Sequence, residues 1–134
     1  MANLEFNKND DKMRLLISEM KRKHATVSLG GGKKKIDKQH KKGKLTARER
    51  IDYLKDTDAN FLEIGAFVGE GMYEEYGGCP SGGVVAGITY IKGRQCIVVA
   101  NDATVKAGAW FPITAKKIEP VLSTIKASSL IIGK

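Results

Sequence analysis

The feature that most constrains this chain is the run Cys96-Ile97-Val98-Val99-Ala100, which is apolar on both faces of any strand it forms. A strand without a polar face must lie inside a larger structure, covered from both sides. Val84 to Ile91 is also β-rich, and Lys92-Gly93-Arg94 separates it from Gln95 to Ala100, which predicts a hairpin. Such a hairpin needs covering layers, and a chain of 134 residues barely provides them.

Helical spacing appears from about Asn9 to Ser28, with Met13, Leu16, Ile17 and Met20 on one stripe. Asn9 or Asp10 would cap this helix, and Gly30-Gly31-Gly32 would stop it. Lys33 to Lys44 offers only Ile36 as a clear apolar residue and reads as loop. Thr46-Ala47-Arg48-Glu49 is a capping box, predicting a helix to about Lys55 that buries Ile51 and Leu54. Phe61, Leu62 and Ile64 suggest a short strand ending at Gly65, and the glycine-rich residues 69–83 an exposed loop.

Net charge is +8, and the excess is local: residues 21–50 hold twelve lysines and arginines against Asp37 and Glu49. This block would attract a polyanion or a phosphorylated ligand, unless it is a solvated basic segment. A nucleic-acid module is the weakest reading, because aromatic residues for base stacking are not interleaved with the charges. The N-terminus carries acids early and lacks an apolar core, unlike a secretory signal, so a cytoplasmic location is expected. Cys79 and Cys96 lie far apart and read as reduced thiols, and no clustered ligands suggest a metal.

Few residues suggest side-chain catalysis. Gly30-Gly31-Gly32-Lys33 lacks the spacing, the following Ser or Thr and the preceding strand of a phosphate loop. His24 and His40 have no neighbours that read as a triad, and Glu70, Glu74 and Glu75 read as loop charges. The most specific stretch runs from Val99 to Trp110, where a buried strand opens into Asn101-Asp102-Ala103-Thr104-Val105-Lys106-Ala107-Gly108-Ala109. Small residues there let a ligand approach the backbone, or else they form a tight loop packing Trp110.

Taken together, Gly43-Lys44-Leu45-Thr46-Ala47-Arg48-Glu49-Arg50-Ile51, the stretch Glu70 to Gly78, Ala100 to Lys106, and Phe111-Pro112-Ile113-Thr114-Ala115-Lys116-Lys117 resemble biotin-dependent acyl-CoA carboxylase β subunits. The methylcrotonyl-CoA carboxylase type is nearest and the propionyl-CoA type next. The resemblance covers about residues 28–117. It implies an α/β fold, an incomplete crotonase-like carboxyltransferase domain with an N-terminal helical arm. It divides the chain into an arm at 1–45, the start of the domain at 46–117, and a divergent tail at 118–134. It implies carboxyl transfer from carboxybiotin, carried on a partner subunit, to a short or branched acyl-CoA. Lys106, Ala107, Gly108 and Ala109 would take the adenine end of CoA, with Lys44 and Arg48 near its phosphates. The implied partners are a biotin carboxylase/biotin carrier α subunit and further β subunits in a hexamer. The glycine-rich oxyanion turn expected after Lys117 is not seen. The chain alone is therefore expected to be inactive, with a non-catalytic assembly fragment as the alternative.

Overall fold

The computed structural model describes residues 2–123 and 129–133, with side chains described over residues 4–123. The predicted hairpin is its centre: β2 (Val84–Ile91) pairs antiparallel with β3 (Arg94–Asn101). Lys92 and Gly93 form the connection, both with positive φ (51° and 74°), as a two-residue turn matching the twist of its strands requires. The Asp56 carboxylate accepts from both turn amides, at 2.6 and 2.8 Å. A two-residue strand β1 (Leu62–Glu63) joins the free edge of β2, and β4 (Ser129–Gly133) runs parallel to β3. The order is β1-β2-β3-β4.

Helices supply the covering layers. Val84, Ala86, Ile97 and Val99 pack against Ile118 and Val121 of α4 (Pro112–Ser123). On the opposite face Val85, Val98 and Ala100 meet Ala47 and Ile51 of α3 (Ala47–Leu54). The doubly apolar strand is thus buried by one helix per face.

The capping box forms as read. The Thr46 hydroxyl accepts from the Glu49 amide at 3.3 Å, and the Thr46 amide donates to the Glu49 carboxylate at 2.7 Å. That backbone bond, with the His40 ring second, holds the Glu49 carboxyl below its ordinary pKa. Replacing Thr46 by alanine is expected to lower stability by about 1 kcal/mol, read as a shifted denaturation midpoint. An unchanged midpoint would show that the cap contributes nothing.

Several sequence expectations need correction. The first helix, α1, spans Ala2–Ser28, so Asn9 and Asp10 lie inside it, and Asp10 pairs with Arg14 at 2.7 Å. Nothing in residues 2–8 breaks a helix, so it begins earlier than its apolar stripe suggests. Lys33–His40 is helix α2, not loop: none of its residues is buried, and Gly32 caps it with no side-chain hydrogen bond. Leu54 is 40% exposed, because Ala47 and Ile51 already fill the contact with the sheet. Residues 69–83 are not uniformly exposed: Cys79 and Ser81 to Gly83 are buried beneath α4. Pro112 occupies the first turn of the last helix, where its fixed φ is favourable. Lys117 lies within this helix, α4. Among the described residues, no helix is long and apolar enough to cross a membrane.

Candidate functional site

The β3 strand ends at Asn101, and the chain then turns through Asp102 to Ala109. Lys106, Ala107 and Gly108 are held consecutively at positive φ, 44°, 55° and 83°. Two of these are not glycine, and such backbone strain persists only where surrounding structure enforces it, commonly at ligand contacts. The turn is tied by Gly108 N to Val105 O (2.8 Å) and Ala109 N to Lys106 O (3.0 Å). Its flank is fixed by Trp110 Nε1 donating to Asn101 Oδ1 at 3.0 Å.

Opposite this turn lies the basic arm that follows α2. A groove of about 660 Å³ opens between them, with Gln39, Lys42 and Lys44 on the arm side and Asn101, Ala103, Ala107 and Gly108 on the loop side. Leu45, Ala47 and Arg50 complete its floor. Three cations thus face a wall of small side chains, so an anion can approach the backbone closely. Among the described residues, no carboxylate or histidine lines the groove.

The six residues singled out from the sequence separate into three groups. Lys44, Ala107 and Gly108 line the groove together. Lys106 and Ala109 belong to the same turn without lining it: the Lys106 ammonium sits 4.3 Å from the centre of the Phe111 ring and 5.1 Å from that of Tyr76. Arg48 lies apart, with its guanidinium on the Glu63 carboxylate at 2.6 and 2.9 Å. Lys42, Arg50 and Asn101 were not singled out. Arg50 was legible in principle: from the capped start of α3, position 50 shares a face with 47, whereas 48 does not.

A second cluster lies beneath the sheet end. Glu63, its side chain 8% exposed, accepts from Arg48 and from Ser81 Oγ at 3.0 Å. Lys117, 5% exposed, donates to Ser81 O, Ser81 Oγ and Val84 O at 2.8, 2.9 and 2.7 Å. All three ammonium hydrogens are thereby used, which is the pattern of a structural cation. Burial acts most strongly on Glu63 and upward, but the bonds from Arg48 and Ser81 outweigh it and hold its pKa low. Burial pushes the Lys117 amine down to about 8, against the opposing pull of Glu63.

The carboxyl transferase domain family matches residues 38–131, so the match continues past Lys117. The chain is 43% identical over 113 residues to a probable mitochondrial methylcrotonoyl-CoA carboxylase beta chain of Drosophila melanogaster, covering 84% of this chain and 19% of that protein. It is 42% identical over 107 residues to a biotin-dependent 3-methylcrotonyl-coenzyme A carboxylase beta1 subunit of Mycobacterium tuberculosis, covering 80% and 20%. Among solved structures, transcarboxylase 12S aligns with a TM-score of 0.71 at 30% identity over 83% of this chain and 22% of that one. The β subunit of P. aeruginosa geranyl-CoA carboxylase aligns at 0.60 and 28%, over 90% and 21%. The chain therefore spans about a fifth of the length of the relatives it matches. Its sheet and helices match the crotonase-like fold of carboxyltransferases, with α1 as an N-terminal helix. By sequence and by fold, this chain belongs to the carboxyl transferase domain family.

Proposed function

We propose that this chain forms the coenzyme A edge of an acyl-CoA carboxyltransferase, the reaction being carboxyl transfer from carboxybiotin to a short or branched acyl-CoA. The supporting observation is the groove that sets Lys42, Lys44 and Arg50 against the small-residue turn of Ala107 and Gly108. Cations gathered along one groove suit the phosphates of CoA, and the close backbone approach suits its adenine end. One solved relative is described with methylmalonyl-coenzyme A bound, and another is a geranyl-CoA carboxylase subunit. Lys106 acts through the turn: its stacking on Tyr76 and Phe111 holds the strained backbone, and Ala109 closes the same turn. Arg48 is held on the neighbouring Glu63 carboxylate.

The carboxyl donor is a biotin borne by a partner α subunit, and it reaches the site as a substrate. The groove itself supplies binding and orientation, without an acid–base pair. The isolated chain is accordingly expected to bind CoA and to give no carboxyl transfer. Transfer from carboxybiotin by the purified chain would overturn that expectation.

Calorimetric titration with coenzyme A tests the groove. Lys44→Glu is expected to weaken binding by about tenfold and to flatten its salt dependence, since it removes one phosphate partner and adds repulsion. Charge reversal at Lys106 is expected to weaken binding by a smaller factor. Unchanged affinity in both variants would sink the assignment.

A second reading, an assembly module, is favoured by one observation. Phe6, Met13, Leu16 and Met20 follow a single helical stripe on α1 and are more than half exposed. That stripe suits docking onto further β subunits. Absence of co-elution with a full-length β subunit would count against it.

A further inference from the structure

Building on the reading of the groove as a CoA edge, we propose that Asp102 and Thr104 are positioning residues. They clasp the Gly30-Gly31 turn and so fix the spacing between the two walls of the groove.

The two walls come from distant parts of the chain. One follows β3, and the other follows α2. The Thr104 hydroxyl joins them: it donates to Asp102 Oδ1 at 2.6 Å and accepts from the Gly31 amide at 2.9 Å. Asp102 Oδ1 also accepts from the Thr104 amide at 2.9 Å, which closes the loop on itself. The contact is close-fitting. Gly30, at φ 54°, has no room for a methyl, because it would meet the Asp102 carboxylate, and a methyl on Gly31 would meet the Thr104 carbonyl. Gly30 and Gly31, in a glycine run that does not fit a phosphate loop, therefore have a definite role: they allow the basic arm to approach the loop.

Position is carried outward on both sides of the clasp. On the arm side Gly32 opens α2, with Lys35 N and Ile36 N donating to Gly32 O at 3.0 and 3.1 Å. Gln39, at the far end of α2, accepts from Lys42 N and Lys44 N, each at 3.0 Å. The helix and these bonds form a short rigid link from Gly31 to the two arm lysines of the groove. On the loop side Val105 N donates to Asp102 O at 3.0 Å, and the strained turn of Lys106 to Gly108 follows at once. Thr104 is 2% exposed, so it acts on a ligand only through its neighbours.

Serine preserves both hydrogen bonds of Thr104, whereas valine keeps the shape and removes them. In the 134-residue chain, titrated with coenzyme A, Thr104→Val is expected to weaken binding by about tenfold. Thr104→Ser should stay within about threefold of the unsubstituted chain. Thr89→Val is the control: it removes a buried hydroxyl that donates to Asn60 O at 3.0 Å, far from the groove. That variant should unfold earlier and bind CoA normally. Three results would overturn the clasp: normal affinity in Thr104→Val, a loss in Thr104→Ser as large as in Thr104→Val, or an equal loss in Thr89→Val. If Thr104→Val fails to fold, Asp102→Asn replaces it, with an expected weakening of about threefold and rejection if affinity holds. No binding by the unsubstituted chain would instead overturn the CoA reading itself, and the clasp's role with it.

Discussion

Glu63→Ala is expected to cost about 3–5 kcal/mol of folding stability, more than any change in the groove. The carboxylate is almost fully buried and is the shared acceptor of Arg48 and the Ser81 hydroxyl. Removing it leaves the guanidinium half-buried without its partner and takes the nearest negative charge from Lys117. A buried charge that loses its partner costs far more than the net worth of the intact pair. The effect should appear as a lower urea midpoint with an unchanged slope. Because the Glu63 pKa is held below its ordinary value, its contribution is fully present above about pH 4.5. It fades as pH falls through the lower, folded-state pKa. The unsubstituted chain should therefore lose stability under acid more steeply than Glu63→Ala. A midpoint within experimental error of the parent would show that the cluster contributes no net stability.

Neither Glu63 nor Lys117 was legible in the sequence as a buried charge. The hairpin was legible because Cys96 to Ala100 leaves no polar face for solvent, and Lys92-Gly93-Arg94 separates it from the β-rich Val84 to Ile91. Thr46 and Glu49 were legible because a capping box is local chemistry, complete within four residues. Local patterns do not reveal which charges are buried. Lysines are almost always exposed, so residue type marks neither Lys116 nor Lys117 as buried, yet α4 turns Lys117 into the core and Lys116 to solvent. α2 was missed for the opposite reason: it buries nothing, so the apolar pattern used to find helices is absent. Lys44, Ala107 and Gly108 were named from resemblance to the family, but that they line one groove was not legible, because the fold there brings together residues as far apart as Gly31 and Thr104, 73 positions distant.

Lys117→Met separates the part of this cluster that depends on alkaline pH. Methionine fills a similar volume, so the change mainly removes three donors from Ser81 O, Ser81 Oγ and Val84 O. Buried acceptors left without partners cost about 1–3 kcal/mol each, and relief from burying a cation offsets part of that. A net loss of about 3 kcal/mol at pH 7 is expected. The sign of the pH effect follows from burial, which lowers the amine's pKa from 10.5 to about 8 in the folded chain. Between these values the unfolded chain binds the proton more tightly, so this group's contribution to stability rises with pH from about 8 to 10.5 and is flat below. Cys79 works against it in the same range. Burial raises its thiol pKa above 9.0, so its contribution falls as pH increases. The informative quantity is therefore the difference between the parent and Lys117→Met, in which the thiol largely cancels. That difference should widen in the parent's favour from pH 8 to pH 10. A constant difference would mean that Lys117 keeps its ordinary affinity for the proton and that the three carbonyl and hydroxyl oxygens around it fully replace water.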